Sequence, residues 1–371
     1  MSERLTAPGR GAPLRMAVPF GGASTEHTIS VRSARAVLAA ADPARIAAVP
    51  VAIGHDGSWH DAAASRALIA AMDRGAPECV PAASGPRGGL LAAPAALSAL
   101  ADVELAFPLV HGRTGEDGSL QGLLELCGLP YVGAGVAASA IGLDKTLMKA
   151  AFAGAGLPLP RTQVVTAAAW ASDRENIERA LAAMPAPLFA KAANSGSSVG
   201  VVKIHDREAI GPAVDEALRF DRKVVVEEGI EGRELECAVL ERPASQGGGA
   251  EATPPGEIRT GRDFYDYVAK YEDPETELIV RADVAPAVAE RARALAVAAF
   301  EAIDCAGFAR VDFFLRGEDE LFVNEINTLP GFTSASMFPR LWEAAGLSFP
   351  ALIERLARLA LERAGGRRAD A

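Results

Sequence analysis

An α/β chain of more than one domain is predicted by three observations. Its 371 residues exceed a single domain at roughly 100–200 residues each, so two or three are expected. Half of the residues are hydrophobic and 23% are charged, the balance of an ordinary globular protein. Short apolar runs alternate with helical stretches over the first 135 residues or so, the pattern of a parallel α/β layer.

The elements follow in order. Residues 14–20 form an apolar run that stops at Gly21-Gly22, and a helical stretch covers 25–40. A second strand, 47–53, precedes the turn signal His55-Asp56-Gly57. A third, 105–110, leads into the polar loop HGRTGEDGS and a helix over 120–126 that closes at Gly128. Residues 137–155 are helical and end among Gly154, Gly156, Pro158 and Pro160. Strands at 188–192 and 200–204 flank a Ser/Gly hairpin tip, and a helix over 207–219 closes that unit. Further strands cover 223–227 and 235–240. The Gly/Pro-rich stretch 244–255 reads as a surface insertion. After a helix over 286–303, the strands 307–315 and 320–327 form a hairpin. The last helix, 349–363, carries Leu352, Ile353, Leu356 and Leu359 on one stripe and ends before Gly365-Gly366.

Composition excludes several classes. The net charge of −11 argues against a nucleic-acid or acidic-membrane binder, which needs a basic surface. Cys79, Cys127, Cys237 and Cys305 are widely spaced, so free thiols in a reducing cytosol are expected rather than disulfides or structural zinc. No run reaches the length of a membrane span. Residues 1–14 read as a disordered tail, since no apolar stretch follows their basic residues as in a signal peptide.

Several residues carry chemistry. Glu325 and Asn327 are two apart on one strand and leave the same face, and Asp312 can face them across the hairpin. Three hard oxygen donors suit Mg²⁺, which completes its shell with water and phosphates. A solvated strand face is the alternative, but the flanking Val311, Phe313, Phe322 and Ile326 argue for a partly buried hairpin. Lys191 ends an apolar strand before Gly196-Ser197-Ser198-Val199-Gly200, a loop rich in backbone N–H groups suited to phosphate. Lys145 follows Gly142 on a helix; alone, either lysine is an ordinary surface charge. Glu227 and Glu228 end a strand and Glu234 stands seven residues beyond Glu227, an acidic linker able to bind a nucleoside or simply a surface turn. His111-Gly112 and Gly21-Gly22 with Glu26 end strands, where open α/β sheets bind ligands; ordinary turn chemistry is the alternative.

Taken together, these residues resemble the D-alanine–D-alanine ligases of the ATP-grasp superfamily. The resemblance runs from about residue 15 to 349 through eight motifs in order: FGGASTEHTIS, HGRTGEDGSLQGLLE, GLDKTLMK, GSSVG, EEGIEGRELE, FYDYVAKY, GFARVDFF and NEINTLPGFTSAS. It implies a three-domain ATP-grasp fold, with an α/β substrate domain at 15–136, a central subdomain at 137–222, a C-terminal subdomain at 223–365 and a tail at 366–371. Lys145 and Lys191 then hold the α- and β-phosphates of ATP, with Ser198 in the phosphate loop. Glu227, Glu228 and Ile230 form the adenine linker, and Glu234 meets the ribose. Asp312, Glu325 and Asn327 ligate two Mg²⁺ (or Mn²⁺). Glu26, Ser197 and Tyr271 link the first-substrate site to two loops, and His111 lies near the reacting carboxyl. Lys270 holds the transferred phosphoryl group, Arg310 and the Gly331 N–H stabilise an oxyanion, and Ser336 holds the second substrate's carboxylate.

The implied activity is ATP-dependent joining of two D-alanines through an acyl phosphate, for peptidoglycan precursors, by a cytoplasmic homodimer that binds neither nucleic acid nor membrane. D-serine, and less so D-lactate, is the alternative acceptor, and a silent nucleotide-binding module or another carboxylate–amine ligase the alternative class. Two departures from the family pattern stand out: Ala192 where proline usually follows the strand lysine, and Arg281-Ala282 where Pro-Ala is usual.

Overall fold

The computed structural model describes residues 12–82, 98, 100–196, 200–259 and 276–369. The expected tail at 1–14 lies mostly outside them, and Leu14 already opens the first strand. Three sheets organise the described chain.

The first is parallel, ordered β2-β1-β3, from β1 (Leu14–Gly21), β2 (Ile46–Ile53) and β3 (Leu105–Ala106). Helices α1 (His27–Ala40) and α2 (Ala62–Asp73) pack on it. β1 is buried along nearly its whole length, as a strand covered on both faces must be. The third strand is shorter than the 105–110 expected. Its pairing with β1 nevertheless continues, because Phe107 N–H donates to Ala17 O (2.7 Å) and Leu109 N–H to Pro19 O (2.8 Å). Pro19 has no N–H to return, so the ladder is one-sided there.

The loop after β3 turns at Gly115 and enters α3 (Ser119–Leu126). A Cβ on Gly115 would stand 1.7 Å from Val110 O, a separation no repacking absorbs without moving backbone. Gly115→Ala is therefore expected to lower the urea midpoint, at a cost in unfolding free energy of at least the about 1–3 kcal/mol typical of overpacking. An unchanged midpoint would show that the loop yields freely.

The second sheet is antiparallel, ordered β4-β7-β5-β6: β4 (Thr162–Thr166), β7 (Lys223–Glu228), β5 (Leu188–Ala192) and β6 (Val201–Ile204). It is preceded by α4 (Val136–Leu143) and α5 (Lys145–Gly154), which split the predicted helix 137–155 at Asp144. Asp144 leaves helical geometry to accept hydrogen bonds from Thr146 N–H and Leu147 N–H as the cap of α5. α6 (Ala167–Leu181) and α7 (Ile210–Ala217) cover the sheet over a core of Trp170, Leu181, Val214, Val224 and Val226. The expected domain boundary between residues 222 and 223 does not follow the pairing, because β7 lies between β4 and β5 and belongs to this sheet. Ala192 acquires a role here: its N–H donates to Gly200 O (3.1 Å) at the mouth of the hairpin, a bond proline could not make.

The third sheet runs β11-β10-β8-β12-β13, with β9 also pairing β8. Its members are β8 (Arg233–Glu241), β9 (Ala250–Ala252), β10 (Gly256–Arg259), β11 (Glu277–Ile279), β12 (Phe308–Arg316) and β13 (Glu320–Asn327). The stretch 244–255 is thus only partly a surface insertion. β9 joins the sheet, Thr253 is buried, and Arg355 ties Glu251 down at 2.6 Å. α8 (Pro286–Ala302) packs the sheet through Ala292, Ala296, Ala299 and Phe300. α9 (Met337–Ala344) and α10 (Phe349–Ala369) bring Phe338, Leu352 and Leu356 into one core with Phe20, Phe107, Phe308 and Phe332, uniting the first and third sheets. α10 runs through Gly365-Gly366 into the expected tail. Glycine weakens a helix by about 1 kcal/mol but does not oblige it to stop.

Candidate active site

β8, β12 and β13 place a row of charged side chains on one face. Asp312 is registered opposite Glu325 on one side and Glu236 on the other, and Arg310 opposite Asn327. Arg310 grips both oxygens of Asp312 at 2.7 Å and reaches Glu236 at 3.2 Å. Two largely buried carboxylates of the row, Asp312 and Glu236, thus share the Arg310 guanidinium, and Glu325 stands opposite Asp312. Asn327 Oδ1 accepts from Leu329 N–H (2.9 Å), which fixes its amide at the strand end. This cluster of hard oxygen donors fits a divalent cation.

A second group lies on β5, β7 and α5. Glu227 is buried between two ammonium groups: Lys191 Nζ donates to Oε2 (2.8 Å) and Lys149 Nζ pairs with Oε1 (2.8 Å). Lys149 Nζ also donates to Asn324 O (3.1 Å), next to Glu325. Burial alone would raise the Glu227 pKa, but the two lysines overcome it and hold the carboxyl at about 2. Burial likewise works against the charge on Lys191. Glu227, with Glu325 and Glu234 beyond, more than restores it, and its pKa lies above the ordinary lysine value. Lys145 Nζ donates to Ser195 O (2.7 Å) at the edge of the hairpin.

At the carboxyl ends of β1 and β3, His111 is buried in a hydrogen-bonded frame. Its Nδ1–H faces Leu329 O (3.0 Å) and Glu116 Oε1 (3.5 Å), while Nε2 meets Ser33 Oγ (3.1 Å). Burial raises the Glu116 pKa, His111 opposes the shift and the nearby Glu26 charge adds to it. Ser24 Oγ–H donates to His111 O (2.6 Å) and accepts from Glu26 N–H (3.2 Å), joining the two strand ends. The Glu26 carboxylate lies so close to Gly112 and Gly196 that a Cβ on either would stand 3.0 Å from Oε2. Opposite, Ser336 Oγ accepts from Thr333 N–H (3.2 Å) and lies beside Gly331.

Two cavities unite these groups. One of about 590 Å³ is lined by Glu26, His111, Arg310, Asn327, Gly331 and Ser336. One of about 170 Å³ is lined by Lys191, Glu227, Glu228, Ile230, Glu234 and Asp312. Lys145, Ser195, Gly196, Glu236 and Glu325 line both, so the cavities meet at the carboxylate row. Ser197, Ser198, Lys270 and Tyr271 lie outside the described residues.

Both halves of the chain match models of one family: residues 15–134 the D-ala D-ala ligase N-terminus and residues 151–358 the D-ala D-ala ligase C-terminus. The chain belongs to the D-alanine–D-alanine ligase family. Its relatives include a D-alanine–D-alanine ligase of Mycobacterium ulcerans, 45% identical over 97% of this chain and 98% of that one. Among solved structures, the D-alanine-D-alanine ligase from Coxiella burnetii is similar at a TM-score of 0.76 and 33% identity, covering 96% of each chain. The VanG D-Ala:D-Ser ligase from Enterococcus faecalis is similar at 0.77 and 30%, covering 94% of this chain and 99% of that one. These structural neighbours agree with the expected ATP-grasp architecture.

Sequence reasoning passed over Lys149, Glu236 and Glu116 in this ligase-family fold. Glu236 is two residues from Glu234 in an otherwise apolar strand, and Lys149 is one helical turn from Lys145. Those spacings were the available signals. Among the described residues, His27, His55 and Cys79 also bring metal-capable atoms within 4.8 Å of one another. Both His27 nitrogens are already engaged, however, by Gly22 O and Val80 N–H, and its ring stacks on His55. That group supports the loop rather than forming a centre. Burial pushes the thiols of Cys237 and Cys305 well up, so both are poor nucleophiles.

Proposed function

We propose that this protein joins two D-alanines into D-alanyl-D-alanine, converting ATP to ADP and phosphate, in the synthesis of peptidoglycan precursors. One observation carries the reading: a cavity with cationic and acidic walls suited to a nucleotide opens into a larger one at a shared row of carboxylates. A carboxylate is a poor acyl donor. Its attack on the γ-phosphorus of ATP releases ADP and leaves an acyl phosphate. The amine of the second amino acid then adds to the acyl carbon, and phosphate and a proton leave as the peptide bond forms.

The proposed roles are those that the family resemblance implies. Lys145 and Lys191 hold the α- and β-phosphates, aided by Ser198. Glu228 and Ile230 contact adenine along the linker that Glu227 begins, and Glu234 takes the ribose hydroxyls. Asp312, Glu325 and Asn327, with Glu236 beside them, would hold two Mg²⁺ (or Mn²⁺), whose contribution is to neutralise phosphate charge during transfer. Arg310 and the Gly331 N–H stabilise the oxyanion of the tetrahedral intermediate. Glu26, positioned by Ser24, meets the first ammonium group, His111 orients the reacting carboxyl, and Ser336 receives the second carboxylate. Lys270, Tyr271 and Ser197 complete the phosphoryl and acceptor sites. The three expected units, re-cut so that residues 137–228 form the central one, act as substrate, nucleotide and catalytic parts.

The protein is further proposed to be cytoplasmic, with reduced cysteines, and homodimeric. Leu126, 89% exposed at the end of α3, offers an apolar contact on the first unit. Sedimentation at micromolar concentration should show the dimer. The decisive assay is phosphate release with ATP, Mg²⁺ and each of D-alanine, D-serine and D-lactate. Turnover is expected with D-alanine, less with D-serine because a single hydroxyl is weakly discriminated, and to stop with a chelator. Phosphate release only with another carboxylate–amine pair would sink the reading.

A further inference from the structure

Resting on that reading, we propose that Lys149 is a positioning residue for the nucleotide: it neutralises Glu227 so that the charge of Lys191 stays available to a polyphosphate. The argument is one of charge and depth. Glu227 carries one negative charge and meets two ammonium groups at 2.8 Å. A lysine–glutamate pair alone is neutral and offers nothing to an anion. The triad has one net positive charge, and the geometry decides which lysine presents it. Lys149 is the deeper, its side chain 6% exposed against 15% for Lys191, and it also donates to Asn324 O. Lys191 lines the smaller cavity and Lys149 lines neither.

Lys149 also joins three elements. It projects from α5, one turn after Lys145, holds a residue of β7, and reaches the backbone of β13 next to Glu325. It therefore fixes the distance between the phosphate lysine and the carboxylate row. Neither Glu227 nor Lys191 lines the larger cavity, so the charge effect falls on the nucleotide side.

The test uses the full-length protein with Lys149→Met, and Lys149→Gln should the methionine chain fail to fold. Titration calorimetry with ADP and Mg²⁺, without D-alanine, should show Kd rising about tenfold or more, the worth of one charged contact. KM for ATP should follow, while KM for D-alanine stays within about twofold by the same scale. Adding Glu227→Gln to Lys149→Met removes the carboxylate that now competes for Lys191, and should recover part of the lost ADP affinity. Unchanged ADP affinity in a folded Lys149 variant overturns the proposal. So does a double variant weaker than the single one, or a parallel rise in both KM values, which a merely supporting lysine would give. A wild-type protein that binds ADP yet releases no phosphate with any D-amino acid would instead count against the ligase reading.

Discussion

Arg310→Met is expected to lower kcat for phosphate release about 10²–10³-fold, the usual cost of removing one oxyanion donor. The same change should act in the opposite direction on the divalent ion. The guanidinium holds both oxygens of Asp312 and reaches Glu236, so its positive charge works against a cation beside them. Without it the carboxylates repel one another, the metal-free protein loses stability, and Mn²⁺ should bind more tightly and raise the melting temperature more than in the parent. Slower turnover together with a larger Mn²⁺ stabilisation is the signature. An unchanged kcat would remove Arg310 from the chemistry. An unchanged Mn²⁺ response would mean that the Arg310–Asp312 pair does not stand in the cation's place.

The second large effect concerns Glu227 and acid. Its carboxyl titrates at about 2 in the folded chain against 4.5 as the ordinary value. Protons therefore bind the unfolded chain more readily, and acid favours unfolding. The stabilisation is fully present above about pH 5 and fades as pH falls towards 2. At about 1.4 kcal/mol per pH unit it amounts to about 3 kcal/mol. Glu227→Gln should flatten the acid limb of a denaturation series, at the expense of stability at neutral pH, where two buried ammonium groups lose their counter-ion. Parallel acid limbs in the two proteins would show that other carboxylates govern acid unfolding.

Much of the fold was legible because periodicity is local. The apolar runs that became β1, β5, β12 and β13 and the stripe that became α10 declare themselves within a few residues. α2, β4, α6, β10, β11 and α9 were passed over, and several of them are short or weakly patterned. The central sheet was cut at the wrong residue because strand partnership is not local. Nothing in Lys223–Glu228 reveals that it will lie between two strands from earlier in the chain.

By itself the sequence determined the class of chemistry. Acids two apart on a strand and a strand lysine before a Gly/Ser loop pointed to metal and phosphate, because residue type and spacing along an element decide which side chains share a face, and the resemblance of eight motifs in order named the ligase. Only the tertiary structure decided who neutralises whom. That Arg310 rests on Asp312, that Lys149 rather than solvent balances Glu227, and that Glu236 joins the carboxylate row all depend on elements far apart in the chain meeting where little water screens them. Charges pair according to distance and burial, and those are set by packing rather than by order along the chain.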